Sequence, residues 1–127
     1  MKTSEFSVMP IDAIQKQAEE KGCEVVIAAP NQLQFDLDTE QARESFKEFF
    51  HVKLYKRYGK FLPLATWKSK SGHDHAVVDL PADLPIEQRI ALQAMGGSDP
   101  GREFAALCCH WDGSATPVLL YKPKGAK

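Results

Sequence analysis

The period of apolar and polar positions changes several times along the chain, and each change marks an element. From Gln32 to Thr39 the two kinds of residue alternate, Gln-Leu-Gln-Phe-Asp-Leu-Asp-Thr. Alternation predicts a strand over 33–37, with Leu33, Phe35 and Leu37 toward a core and Gln34, Asp36 and Asp38 on the other side. From about Thr39 to Phe50 the period lengthens, and Ala42, Phe46, Phe49 and Phe50 fall on one stripe of a helix packed on that core. Upstream, residues 1–9 read as a loose lead-in to a helix that starts at Pro10 and carries Ile11, Ile14 and Ala18. Gly22 stops that helix, and Glu24–Ala28 suits a strand that turns at Pro30-Asn31 into a hairpin with 33–37.

Downstream, Leu64–Lys70 and His75–Leu80 read as two strands joined by the turn Ser71-Gly72-His73-Asp74. Pro81–Pro85 leads into a helix with Ile86, Ile90, Ala94 and Met95, closed by Gly96-Gly97. The short apolar run Glu103–Cys109 fits either period. It is read as a strand, because Asp112-Gly113 and Pro117–Tyr121 resemble a hairpin turn and its second arm. Residues 123–127 read as a frayed tail. From residue 32 the order is therefore β-α-β-β-α-β, with an N-terminal helix and a hairpin added. Such an order predicts an α+β fold with a mixed or antiparallel sheet, helices on one face and the other face open to ligand.

Composition narrows the class. The 127 residues suit a single domain, 1–127, and 43% apolar with 26% charged content is that of a globular chain. A formal charge of -1 gives no general attraction for nucleic acid, so any such contact needs a local patch. Cys23, Cys108 and Cys109 are odd in number and sit in or beside apolar runs, which predicts buried thiols in a reducing compartment. With no apolar run long enough to span a bilayer and no signal-like start, a cytoplasmic location without membrane contact is expected.

Three places carry candidate chemistry. Asp36 and Asp38, on one side of a strand and roughly 6–7 Å apart, repel unless a cation lies between them. The plainer reading makes Asp38 the N-cap of the following helix, with Gln41 as its partner. Lys53, Tyr55, Lys56, Arg57, Tyr58 and Lys60 put four cations and two aromatics within eight residues. Cations neutralise phosphates and aromatics stack on bases, so this is the expected nucleic-acid contact, and a solvated basic helix end is the alternative. Asp99, in Ser98-Asp99-Pro100-Gly101, is either a further acid of the site or a turn residue.

In this order the segments Asp36-Leu37-Asp38, Lys68-Ser69-Lys70-Ser71-Gly72-His73-Asp74-His75 and Ser98-Asp99-Pro100-Gly101-Arg102 resemble the three motifs of the archaeo-eukaryotic-type primase and primase-polymerase core, particularly its compact phage and plasmid versions. The resemblance implies an RRM-like palm in which Asp36, Asp38 and Asp99 hold two Mg²⁺ or Mn²⁺ ions and act catalytically with His75. It also implies that Lys70, Ser71, His73 and Arg102 contact a nucleoside triphosphate. The motif histidine is His73 or His75, and the chain lacks the zinc module of larger relatives. Such an enzyme joins nucleotides on a nucleic-acid template, and a palm this small could require a protein partner.

Two rivals use the same residues otherwise. The His73-Asp74-His75 pair resembles the His-x-His motif of rolling-circle nicking endonucleases, which would ask Tyr55 or Tyr121 to attack DNA. A non-catalytic phage-type accessory or inhibitor protein would keep the palm only as a scaffold for binding nucleic acid or a host protein.

Overall fold

The computed structural model describes residues 11–113 and 119–124. Residues 1–9 and 125–127, the expected helix start at Pro10 and the expected strand start at Pro117 lie outside the described residues. Helix α1 (Ile11–Glu20) ends at Gly22, whose φ of 71° suits a residue without Cβ. Strands β1 (Cys23–Ile27) and β2 (Gln32–Leu37) follow. Helix α2 (Glu40–Glu48) runs on through a π-helical stretch, Phe49–Leu54, and α3 (Tyr55–Tyr58), so the expected helix continues a further two turns beyond Phe50. Then come β3 (Leu64–Lys68), β4 (Asp74–Asp79), α4 (Ile86–Met95), α5 (Pro100–Trp111) and β5 (Leu119–Pro123).

The domain is α+β with two antiparallel sheets, one of three strands in the order β2-β4-β3 and one pairing β1 with β5. This is compatible with a small palm-like fold. The cross-strand register sorts side chains cleanly. Leu33 faces Val78 and Phe35 faces Ala76 on one side, while Gln34 meets Val77 and Asp36 meets His75 on the other. Trp67 is opposite His75 on that second side.

The first side carries the main core, in which Leu33, Phe35, Leu37, Ala76 and Val78 pack against Phe46, Phe49, Phe50 and Leu54. Phe35 and Phe46 meet edge to face at 4.9 Å. Close packing extends to Gly96, where a Cβ would lie 2.5 Å from the Phe35 ring, and to Gly97, with φ 91°.

Three expectations are corrected. Residues 103–109 are helical, because Asp99 caps α5 and Pro100 opens it, and the same Asp-Pro pair that suits a turn also suits a helix start. β1 pairs with β5 and not with β2, so the strand before Pro30 belongs to the other sheet. The second side of the three-stranded sheet is not open: Trp67 and Val77 pack with Leu120 and Val26 of the β1–β5 ribbon. Pro123 and Lys124, expected in the tail, are tied down: Pro123 is in β5 and the Lys124 N–H donates to the Gly22 carbonyl.

A strand edge left without a neighbour exposes N–H and C=O groups that must be satisfied. On β2 that edge is closed by side chains from the α4–α5 corner. Gln93 Oε1 accepts from the Gln34 N–H at 2.9 Å, and Ser98 Oγ accepts from the Asp36 N–H at 3.0 Å. The Asp99 N–H donates to the Asp36 carbonyl at 2.8 Å. These bonds pin the end of β2 where the acids stand.

Candidate metal centre

Three residues converge at the end of the β2–β4 ladder. One donor atom each from Asp36, Asp38 and His73 lie within 4.8 Å of one another, a set that could hold a metal ion. Asp36 is placed by β2 and its pinned backbone. Asp38 is available because Thr39, not Asp38, caps α2, its Oγ1 accepting from the Ala42 N–H at 3.0 Å. His73 comes from the β3–β4 turn, held by its own N–H to Ser69 Oγ at 3.0 Å.

His75 completes the group. Its Nδ1 lies 3.1 Å from the Tyr121 carbonyl, which can only accept, so Nδ1 carries a proton and Nε2 is turned to Asp36 Oδ1 at 3.2 Å. The Trp67 Nε1–H donates to the same carbonyl, and the indole meets the imidazole edge to face. His73 Nδ1 stands 3.1 Å from Asp38 Oδ1. Both imidazoles are thus within ion-pair reach of an acid, but neither is aligned to bond it. Asp36 Oδ1 and Asp38 Oδ1 are buried without a hydrogen-bond partner.

Electrostatics pulls the two acids apart. Burial works against the charged form of Asp36, but His75, Asp38 and the Arg102 guanidinium outweigh it and hold that carboxyl below its ordinary range. Burial pushes Asp38 up, and the neighbouring Asp36 and Asp99 add to this, with only partial relief from His73. Two carboxylates crowded together behave this way, one keeping its charge at the other's expense. A divalent cation would relieve the repulsion, and two carboxylate oxygens with one imidazole form a mixed donor set of the kind first-row divalent ions take.

Beside the acids lies a cleft of about 410 Å³ lined by Lys21, Cys23, Asp36, Ser69, Lys70, Ser71, His73, His75 and Tyr121. No family model, curated protein or solved structure matches the chain. The Lys70 ammonium reaches across to Gly22, where a Cβ would stand 3.0 Å from it. Ser71 Oγ is 3.0 Å from Ser69 Oγ and 3.4 Å from His73 Nδ1.

The remaining sequence candidates divide. Asp99 is at the same end of the molecule as the acid pair, but its Oδ2 accepts from the Arg102 N–H as the cap of α5, and it is not among the three gathered donors. Arg102 turns toward Gln34 and Glu103. The segment 53–60 lies at the opposite end of the sheet, where the chain enters β3 at Leu64, four residues and roughly 13 Å along the strand from Lys68. Lys53, Tyr55, Lys56, Arg57 and Lys60 are exposed there, while Tyr58 packs on the core. Phe61, 60% exposed and 4.6 Å from the Tyr55 ring, adds an aromatic that the reading of 53–60 left out.

Lys21 was also missed, because it comes from the turn after α1 and no local pattern ties it to the acids; Tyr121, expected only as a possible nucleophile, arrives from β5. The described helices include none long and apolar enough to cross a membrane.

Proposed function

We propose that this chain is a primase-polymerase-like domain that binds a divalent cation through Asp36, Asp38 and His73 and takes a nucleoside triphosphate in the adjoining cleft. The carrying observation is the pair of buried carboxylate oxygens, each near an imidazole but without a hydrogen bond, beside a cleft rimmed by Lys21 and Lys70. Acids on one side and ammonium groups on the other suit a ligand that is itself a metal–polyphosphate complex. A Mg²⁺ or Mn²⁺ ion bound there supplies Lewis-acid polarisation of a phosphoryl oxygen.

The chain's own residues have separate tasks in this reading. Lys21 and Lys70 neutralise phosphate charge, and the hydroxyls of Ser69 and Ser71 donate to phosphate oxygens. His75, its Nδ1–H fixed on the Tyr121 carbonyl, keeps Nε2 directed at the reacting region and is the group best placed to move a proton. The exposed cations of 53–60 with Tyr55 and Phe61 are the nucleic-acid contact in this reading, remote from the chemistry.

Thermal unfolding with Mn²⁺ and a nucleoside triphosphate tests the reading. A ligand at a hundred times its Kd stabilises by about 2.7 kcal/mol, so the midpoint should rise, and Asp36→Ala should abolish the rise. An unmoved midpoint would leave the non-catalytic scaffold as the better account.

The nicking alternative keeps one supporting observation, Tyr121 in the cleft wall, although its hydroxyl donates to Gln17 Oε1 at 3.3 Å. Tyr55 is at the wrong end of the sheet. Tyr121→Phe should leave nucleotide transfer intact; loss of single-strand nicking in that variant would favour the endonuclease.

A further inference from the structure

We infer that Glu103 is a positioning residue for the metal centre, acting through Ser98 on the peptide groups of Asp36. This rests on the reading of Asp36 as a metal ligand. Glu103 is 3% exposed and belongs to α5. Its carboxylate accepts from Gln93 Nε2 at 2.8 Å and from Ser98 Oγ at 2.7 Å, and it pairs with the Arg102 guanidinium.

The chemistry of each link fixes the next. A serine hydroxyl has one proton, and Ser98 gives it to Glu103, which leaves a lone pair aimed at the Asp36 N–H 3.0 Å away. Gln93 gives an amide proton to Glu103, so its Oε1 is the end turned to the Gln34 N–H. Arg102, held by the same carboxylate, reaches the Gln34 carbonyl and side chain. One buried acceptor thus orients three donors, two of which in turn accept from the open edge of β2.

The need for such a hub follows from the site. Asp36 and Asp38 repel, and a strand end with a loose edge would relieve the repulsion by moving apart. Anchoring the Asp36 N–H and C=O to residues 98 and 99 removes that escape. The acids are then already gathered when a cation arrives. Substituting an amide at Glu103 would put an NH₂ group against donors and scramble the set.

The test uses the full chain and Mn²⁺ alone. Uptake is followed by loss of the free-ion electron paramagnetic resonance signal at a temperature well below unfolding, so that Kd is read on folded protein and a change in stability alone leaves it unmoved. Glu103→Gln and Ser98→Ala should each weaken Mn²⁺ binding about 10- to 100-fold, the usual range for partners that orient a ligand. Ser98→Thr, which keeps the hydroxyl, should restore it. In metal-free protein the same two variants should speed hydrogen exchange at the Asp36 amide more than at neighbouring amides of the β2–β4 ladder. Ser98→Ala removes a single oxygen and carries the test if Glu103→Gln does not fold.

Unchanged Mn²⁺ affinity in Ser98→Ala, with wild type binding, would overturn the inference and leave the metal reading standing. Absence of Mn²⁺ binding by wild type, with the exchange result as expected, would overturn both the metal reading and the role given to Glu103.

Discussion

The two sides of β2 are built on opposite principles although their residues alternate one by one. On the first side the side chains of Leu33, Phe35 and Leu37 are held by packing, in a cluster of phenylalanines whose rings meet at 4.9–5.9 Å. On the second, Gln34 is fully buried, and Gln34 and Asp36 are held by directed bonds to Val26, Gln93, Ser98 and Arg102. Packing tolerates small slides, whereas a hydrogen-bonded hub fixes position at the cost of burying charge. The apolar side thus makes the strand, and the polar side decides where its acids stand.

The heaviest blow to the comparison comes from the apolar side. Phe35→Ala should cost about 3–5 kcal/mol of folding stability, because the ring lies at the centre of the cluster and its loss leaves a cavity. Urea denaturation measures it. A loss below about 1 kcal/mol would show that the phenylalanine cluster is loosely packed, and the contrast between the two sides would fail.

A smaller effect is expected where the two sides meet. Gly97 has φ 91°, and a Cβ there would stand 2.6 Å from the Ala42 carbonyl of α2. Gly97→Ala should cost about 1–3 kcal/mol through backbone strain and overlap. Since Ser98 and Asp99 follow directly, the variant should also loosen the anchor on Asp36, seen as faster exchange of the Asp36 amide.

How far the sequence disclosed this plan depends on the range of the interactions. Alternation over Gln32–Leu37 separates core residues from acids without any help from the rest of the chain, and the Ser-Gly turn before His73 places both histidines near them. Those are local patterns. The helix at 100–111 was misread because Asp99-Pro100 serves turns and helix starts equally, and the deciding fact, Glu103 buried against Gln93 and Ser98, is tertiary. Asp38 and Thr39 compete for one cap, and spacing alone cannot show that Thr39 takes it. Lys21 and Tyr121 reach the cleft only because β1 pairs with β5 from the other end of the chain.

The finest test separates the two acids by sign. Asp36 is held below its ordinary range by His75, Asp38 and Arg102 against the pull of burial, so its charged form stabilises the fold above the unfolded-state value, and that stabilisation fades as pH falls through the folded one. Asp38 is pushed up, first by burial and then by Asp36 and Asp99, so its contribution is present below the unfolded-state value and is lost as pH rises through the folded one. At neutral pH in a chelator, Asp36→Asn should therefore lower the melting temperature and Asp38→Asn should raise it. The Asp38 side chain is 34% exposed, and solvent screening keeps its effect under about 1 kcal/mol, a shift of about 2–4 °C. Near about pH 3, where carboxyls take up protons, the Asp38→Asn gain should vanish and the Asp36→Asn loss should shrink. Mn²⁺ should then reverse the order at neutral pH, because wild type gains the cation and Asp38→Asn loses a ligand to it. Shifts of the same sign in chelator would mean that the two carboxyls do not compete for one charge, and a strand end with no crowding of acids would need no anchor.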